Sequence, residues 1–284
     1  MVEIICRTRK LLVPDDRMAV MGILNAAPDS FSDGVVDLEQ RIRTLVSDKP
    51  DLIDIGGEST RPGAQPVDSV EEIKRVVPVI CRVRELLPDV VISVDTRKSE
   101  VAEAALLNGA DIINDVSALR YDPEIVHVAA DFSAGLILNH SRGVPETMNQ
   151  KVFSEYPGGV GKNVALELQK SIDFSLASGI KKESLILDPG LGFAKNTEQN
   201  LSLLAGIDDL KVLGYPLLSG PSRKRFIGEL TGESDPLNRD FGTCGAVIAS
   251  LLAGYSIVRV HNVKAVKDCL SVFMNCRKCG NGGV

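Results

Sequence analysis

A repeated unit constrains the fold of this chain more than any other feature of its sequence. In each unit a short β-branched apolar run ends in a polar or glycine-containing loop, and a stretch with helical spacing follows. About eight such runs occur, at 18–24, 52–55, 90–94, 111–113, 135–138, 184–187, 215–218 and 256–260. Runs without polar alternation are typical of parallel strands buried on both faces. The sequence therefore predicts an α/β fold, a closed (β/α)8 TIM barrel, with an open doubly wound sheet as the structural alternative.

The stretches between the runs support this alternation. Residues 70–77 have apolar side chains at helical spacing, with Asp68 or Ser69 as a helix cap, and 99–107 and 161–176 follow the same pattern. No repeat, low-complexity segment or linker divides the 284 residues. We therefore predict one barrel domain over 1–284, with irregular ends at about 1–16 and 273–284.

Composition narrows the classes of partner. The net charge of -6 argues weakly against nucleic acid, because nucleic-acid binders usually present a basic face. We interpret the short basic run of Arg7, Arg9 and Lys10 as a solvated surface turn. No signal peptide and no apolar run of about 18 residues is found, so no membrane partner is expected. We expect small-molecule partners and a cytoplasmic location, or an organelle matrix after removal of a transit peptide.

Polar residues follow all eight apolar runs, at the strand ends where a barrel builds its active site. Three of them, Asp95, Asn114 and Asp188, supply oxygens that accept hydrogen bonds from a flat, donor-rich ring such as a 2-amino-pyrimidinone. Lys224 can donate to a carbonyl or nitrogen of the same ring. The pattern predicts an enzyme with a polar, mixed-charge site at one barrel mouth.

A second group of polar residues suits an anion and a metal ion. Arg61, Arg259 and His261 supply cationic or donor groups for phosphate oxygens. Asn25 and Asp33 offer hard oxygen ligands, and Mg²⁺ takes one or two protein oxygens together with phosphate and waters. A ring-binding patch beside these groups predicts a reaction with a pyrophosphate leaving group.

Simpler roles remain open for several of these residues. Asp95 could cap the helix that follows it, and Asp188 before a Pro-Gly pair could form a turn. Lys224 could belong to a solvated charge run, and His140 could be a hydrogen-bonded histidine at the rim.

Five segments, at 21–34, 54–63, 188–193, 222–226 and 258–262, resemble in order the signatures of the dihydropteroate synthases. The similarity extends over about residues 18–268. It implies a transferase that joins 6-hydroxymethyl-7,8-dihydropterin pyrophosphate to p-aminobenzoate in folate biosynthesis and releases pyrophosphate. It also implies a homodimer and a target of sulfonamides.

The same resemblance implies a role for each matching residue. The pterin-binding residues are Asp95, Asn114, Asp188 and Lys224. The Mg²⁺ ligand is Asn25. The pyrophosphate contacts are Arg259, which also lies over the pterin, and His261. The p-aminobenzoate side consists of Thr60, Arg61, Pro62 and Ser222. The mobile first loop carries Phe31 and Asp33. The predicted catalytic residues are Asp33, Lys224 and Arg259, with Asp33 stabilising a cation at the pterin methylene.

Two other functions fit part of the pattern. A methyltetrahydrofolate-type methyltransferase of the same pterin-binding fold would share the ring contacts, but it has no pyrophosphate for Arg259 and His261 to hold. A catalytically silent pterin-binding module is disfavoured because Asn25 and Lys224 are retained. The sequence also departs from the family pattern at 26–27, 35, 139–143 and 220–221, which bears on loop dynamics and p-aminobenzoate affinity.

Overall fold

The strands of the chain form an antiparallel hairpin and a set of eight parallel strands. The structure is a computed structural model, and it describes residues 1–14, 16–27, 35–59, 65–143, 147 and 150–280. The hairpin pairs β1 (Val2–Cys6) with β2 (Arg9–Val13). The parallel strands are β3 (Ala19–Asn25), β4 (Leu52–Gly56), β5 (Val91–Asp95), β6 (Ile112–Asp115), β7 (Gly135–Asn139), β8 (Leu185–Asp188), β9 (Leu218–Ser219) and β10 (Ile257–Val260).

The parallel strands close on themselves. Their order is β8-β7-β6-β5-β4-β3-β10-β9, and a parallel bridge between Leu187 and Leu217 joins the two outer strands. The predicted (β/α)8 barrel is therefore confirmed, and the open doubly wound alternative is wrong.

Helices surround the barrel. They are α1 (Val35–Asp48), α2 (Ser69–Leu86), α3 (Ser99–Leu107), α4 (Ile125–Asp131), α5 (Val160–Ala177), α6 (Thr197–Ala205), α7 (Asp208–Lys211), α8 (Arg225–Thr231), α9 (Asp240–Ala253) and α10 (Val263–Gly280). The predicted cap of α2 is present, because the Asp68 side chain accepts a hydrogen bond of 2.9 Å from the backbone N–H of Glu71. Among the described residues, no helix combines the length and apolar character needed to cross a membrane.

The irregular N-terminal end expected from the sequence is instead the β1–β2 hairpin, which closes the bottom of the barrel. Ile4 and Cys6 are fully buried, and they pack with Leu11 and Val13 against apolar residues at the lower ends of the parallel strands. The alternation of buried and exposed residues along β1 and β2 is the pattern of a strand with one covered face. At the other terminus, α10 continues to Gly280, so the predicted irregular end is helical as far as it is described.

The basic run near the N-terminus is not a solvated turn, because Arg9 and Lys10 belong to β2, where Lys10 is exposed and pairs with Glu3. Arg7 Nη1 donates to the carbonyl oxygen of Leu106 at 2.5 Å, and Arg9 Nη1 donates to Asp111 Oδ1 at 2.8 Å. Because Asp111 is fully buried, it requires a charged partner, and the hairpin supplies one.

Candidate active site

The barrel interior is apolar in its lower half and polar in its upper half. Apolar residues such as Leu52 and Ile112 line the lower interior together with the hairpin. Side chains two positions apart on a strand share a face, so Asp54 and Asn114 face the interior one layer above them. By the same two-residue spacing, Asn139 lies above Ile137, Asp188 above Ile186 and Arg259 above Ile257. This polar layer lies at the carboxyl ends of the strands, where barrel enzymes bind substrates.

Arg259 connects two carboxylates within this polar layer. Its Nε donates to Asp54 Oδ2 at 2.5 Å, and its Nη2 donates to Asp95 Oδ2 at 2.6 Å. Asn114 Nδ2 also donates to Asp54 Oδ2, at 3.1 Å. Burial by itself lowers the pKa of Arg259, but the two carboxylates outweigh it and hold the pKa above its ordinary value. The guanidinium therefore stays charged and is fixed in orientation.

Asp95 binds Arg259 and does not cap the helix after β5. The first backbone N–H of α3, that of Ser99, donates instead to Asp122 Oδ2 at 2.7 Å. Burial raises the pKa of Asp95 to about 7, although Arg259 acts in the opposite direction. Asp95 therefore changes its charge near neutral pH.

Four acceptor oxygens in the polar layer are buried and have no hydrogen-bond partner among the described residues. These atoms are Asp54 Oδ1, Asp95 Oδ1, Asn114 Oδ1 and Asn139 Oδ1. A buried acceptor without a donor costs about 1–3 kcal/mol. The layer therefore suits a ligand that brings several N–H donors in a small, flat ring.

Asp188 both forms a turn and faces the barrel mouth. Its Oδ1 accepts from the backbone N–H of Gly190 at 2.7 Å, and its Oδ2 lies 3.3 Å from the donating Asn139 Nδ2. Gly190 has φ +68°, and a Cβ there would lie 1.7 Å from the carbonyl oxygen of His140, so only glycine fits. Burial raises the pKa of Asp188.

Lys224 points into the site and is not part of a solvated charge run. Its Nζ donates to the carbonyl oxygen of Leu191 and lies 4.3 Å from the centroid of the Phe193 ring. Burial lowers the pKa of Lys224 to about 8, and the Asp188 carboxylate opposes that effect. A lysine with this pKa donates charge-assisted hydrogen bonds at neutral pH and loses its charge in mild alkali.

Ser222 and His261 form a pair at the adjoining strand ends. The backbone N–H of His261 donates to Ser222 Oγ at 3.1 Å, and Ser222 Oγ lies 2.9 Å from His261 Nδ1. A hydroxyl oxygen can accept and donate at the same time, so these two contacts hold the His261 ring against Ser222.

Comparison with known families identifies the chain. The sequence model described as "Pterin binding enzyme" matches residues 21–261. The chain belongs to this family. The dihydropteroate synthase of Synechocystis sp. is 44% identical over 261 residues, covering 90% of this chain and 89% of that protein. The folic acid synthesis protein of Schizosaccharomyces pombe is 42% identical over 260 residues. This match covers 89% of this chain but only 35% of that protein.

Solved structures agree with the sequence comparison. The dihydropteroate synthase of Xanthomonas albilineans with 4-aminobenzoic acid has a TM-score of 0.88 and 40% identity, covering 97% of this chain and 98% of that chain. Its complex with 7,8-dihydropteroate has a TM-score of 0.85 and 38% identity, with the same coverage of both chains. The resemblance to dihydropteroate synthases drawn from the motifs is confirmed.

The structure of this pterin-binding enzyme brings most of the predicted site residues to one mouth. Asn25 is half-buried at the end of β3 and is in register with Gly56 of β4. Gly56 is in register with Asp95 of β5, and Asp95 with Asn114 of β6, so these strand ends lie side by side. Five predicted residues lie outside the described part of the chain, and their roles stay predictions; they are Phe31, Asp33, Thr60, Arg61 and Pro62.

Sequence reasoning missed Asp54 and Asn139 as site residues of this pterin-binding enzyme. Asp54 is fully buried between Ile53 and Ile55 in a strand that is apolar otherwise. A charged residue inside such a run is rarely buried without a partner, and this was the signal that could have identified it. Asn139 was visible as a polar strand end, but its orientation is shown only by the hydrogen bond from its Nδ2 to Asp188 in the folded barrel.

Proposed function

We propose that this chain catalyses the dihydropteroate synthase reaction of folate biosynthesis. It joins 6-hydroxymethyl-7,8-dihydropterin pyrophosphate to p-aminobenzoate and releases pyrophosphate. The four buried acceptor oxygens without donors, grouped beside Arg259 and Lys224, are the observation that carries this proposal. The ligands of the Xanthomonas albilineans structures, 4-aminobenzoic acid and 7,8-dihydropteroate, support the assignment of both substrates.

The pterin ring matches the polar layer in its chemistry. Its exocyclic amino group and ring N–H groups donate hydrogen bonds to side-chain oxygens of Asp95, Asn114 and Asp188. Lys224 donates to the ring oxygen or to a ring nitrogen. Hydrogen bonds to charged groups contribute about 1.5–3 kcal/mol each, so three or four of them hold the ring in one orientation. Asp54 fixes Arg259 and Asn114 from beneath.

We assign the diphosphate to the cationic side of the mouth. Arg259 and His261 donate to its oxygens, and charge that develops on the departing group is stabilised there. Asn25 presents one side-chain oxygen at the end of β3, which fits Mg²⁺ because this ion binds one or two protein oxygens beside phosphate and water. Among the described residues no group of three or more His, Cys, Asp or Glu could hold a metal ion. A Mg²⁺ ion held by Asn25 would neutralise charge on the diphosphate.

We place p-aminobenzoate against Ser222, with Thr60, Arg61 and Pro62 beside it, on the basis of the matching 54–63 and 222–226 segments. The C–O bond to the diphosphate breaks first, the amine nitrogen then bonds to the methylene carbon, and the amine loses a proton. The loop of residues 26–34, which follows β3, carries Phe31 and Asp33. We propose that it closes over the site, where Asp33 stabilises the methylene cation and water is excluded as a competing nucleophile.

A pyrophosphate-release assay tests the function. With pterin pyrophosphate and p-aminobenzoate both supplied, we expect one pyrophosphate for each dihydropteroate formed, and release close to background when p-aminobenzoate is withheld. A methyltransferase of the same fold would release none. A silent module would bind pterin pyrophosphate without turnover, and either result would refute the proposal.

The pH dependence of catalysis provides a second test. Because Asp95 accepts ring donors best when ionised, kcat/KM for pterin pyrophosphate is expected to rise as the pH passes the Asp95 pKa of about 7. It is expected to fall as the pH passes the Lys224 pKa of about 8, where the ammonium is lost. Asp95→Asn should remove the acid limb, and Lys224→Arg should move the alkaline limb upward. Initial rates over this range check both, and a flat profile would contradict the assigned roles.

We further propose a homodimer that forms through α9. Phe241 is 93% exposed and Leu252 is 62% exposed, and both lie on the helix face that also carries Gly245 and the partly exposed Ile248. Leu237, just before α9, is 67% exposed. An apolar face of this kind is typical of a protein–protein contact. We also propose a cytoplasmic location, which the six free cysteines support because that compartment is reducing.

A further inference from the structure

A cluster of buried titratable groups lies behind the pterin site and has no role in the reaction described above. At its centre is Lys195, which is 5% exposed. Its Nζ lies 3.0 Å from His140 Nδ1, 2.9 Å from the carbonyl oxygen of Gly190 and 3.0 Å from that of Phe193. Three contacts match the three donors of an ammonium group.

The hydrogen bonds of His140 show that all three contacts are acceptors. His140 is 1% exposed, and its Nε2 lies 3.0 Å from Glu167 Oε2. Glu167 also accepts from Arg142 Nε at 3.0 Å. A carboxylate requires a donor, so His140 carries its proton on Nε2 and accepts from Lys195 at Nδ1. Burial lowers the pKa of His140 to about 3, which keeps the ring neutral.

The protonation state of Lys195 follows from the same contacts. Burial acts to lower the pKa of Lys195 well below its ordinary value, and the Asp188 carboxylate opposes that effect. A neutral amine would have only two donors and would present a lone pair to one of three acceptors. We therefore assign the ammonium form, which the fixed acceptors and the nearby carboxylate stabilise.

The segment that Lys195 holds, residues 190–193, faces the site on its other side. The carbonyl oxygen of Leu191 accepts from Lys224 Nζ, and the Phe193 ring lies against the same ammonium. The backbone N–H of Gly190 binds Asp188. Lys195 thus fixes the first and last carbonyls of a four-residue segment that contacts two of the proposed pterin-binding residues.

We propose that Lys195 is a positioning residue for the pterin-pyrophosphate site. Its ammonium holds the 190–193 segment from behind, and the segment in turn sets the positions of Lys224 and Asp188. This inference rests on the proposed function, which assigns those two side chains to the pterin ring. A methionine at position 195 would occupy a similar volume, but it would leave the Phe193 carbonyl without the ammonium that donates to it and the Gly190 carbonyl with only the backbone N–H of Phe193, so the segment would rearrange.

The test compares Lys195→Met with two matched variants. Lys195→Arg keeps the charge and donors. Lys264→Met removes an exposed lysine of α10 that pairs only with Asp268 among the described residues. Titration calorimetry gives the affinity for pterin pyrophosphate without p-aminobenzoate, and steady-state rates give the KM for p-aminobenzoate. Hydrogen exchange at the amides of Gly192 and Phe193 reports the order of the segment directly.

Lys195→Met is expected to weaken pterin-pyrophosphate binding by about tenfold or more, while the KM for p-aminobenzoate stays within about twofold. Amide exchange at 190–193 should accelerate, Lys195→Arg should recover part of the affinity, and Lys264→Met should match the wild-type protein. A purely structural role would lower stability without separating the two substrates. Wild-type affinity in Lys195→Met, or equal losses for both substrates, overturns the proposal.

A second variant decides the matter if Lys195→Met does not fold. His140→Leu removes one of the three acceptors, and we expect it to weaken pterin-pyrophosphate binding by about threefold with an unchanged KM for p-aminobenzoate. No change, or a loss shared by both substrates, would reject the positioning role. A wild-type protein that binds pterin pyrophosphate but releases no pyrophosphate would instead count against the proposed function, and the binding comparison would still stand.

Discussion

Replacing Arg259 with methionine is expected to lower kcat/KM for pterin pyrophosphate by about a thousandfold or more. The change removes the cation assigned to the departing diphosphate. It also leaves Asp54 and Asp95 buried with no charge between them, because Arg259 Nε and Nη2 bind one carboxylate each. Asp95 should then take up a proton at neutral pH and lose its capacity to accept at that oxygen.

The same replacement is expected to lower the free energy of unfolding by about 3–5 kcal/mol, because one partner of a buried charge cluster is removed. Activity is therefore expressed per folded molecule, with the folded fraction taken from circular dichroism. Arg259→Lys retains the charge but cannot bind both carboxylates as a fork, so we expect an intermediate activity. Arg43→Met, on the exposed face of α1, is the matched control. Activity of Arg259→Met within about tenfold of wild type would contradict its role in the reaction.

Replacing Asp111 with alanine is expected to destabilise the protein by about 3–5 kcal/mol without changing the activity of the folded molecules. Asp111 is fully buried at the bottom of the barrel, opposite the mouth. Its carboxylate accepts from Arg9 Nη1 and Arg84 Nη2, each at 2.8 Å, and from the backbone N–H of Ile92 at 3.0 Å. Its loss leaves two arginines without their carboxylate partner and a buried amide without that acceptor, and it removes one of the contacts that hold the hairpin to the barrel.

Urea denaturation followed by circular dichroism measures this effect. Asp268→Ala, at an exposed ion pair of α10, is the control and is expected to keep the wild-type midpoint. An unchanged midpoint for Asp111→Ala would show that the hairpin does not depend on this carboxylate. A fall in kcat per folded molecule would show that the bottom of the barrel is coupled to the mouth.

The sequence by itself determined the local elements and which strand ends are polar. The 99–107 stretch is a helix with the predicted bounds, and Asp68 caps α2 as expected. Periodicity and capping depend on residues within a few positions of one another, so they can be read along the chain. The placement of polar residues directly after buried runs likewise required only the order of residues and the geometry of parallel strands.

Only the tertiary structure decided which polar groups share a hydrogen bond. Arg259 and Asp54 are 205 positions apart, and Arg9 and Asp111 are 102 apart. No local pattern selects such partners, because the choice depends on how the barrel closes and which side chains then face its interior. The N-terminal hairpin illustrates the same limit: its alternation is local, but its burial exists only because the finished barrel offers an apolar opening for it to cover.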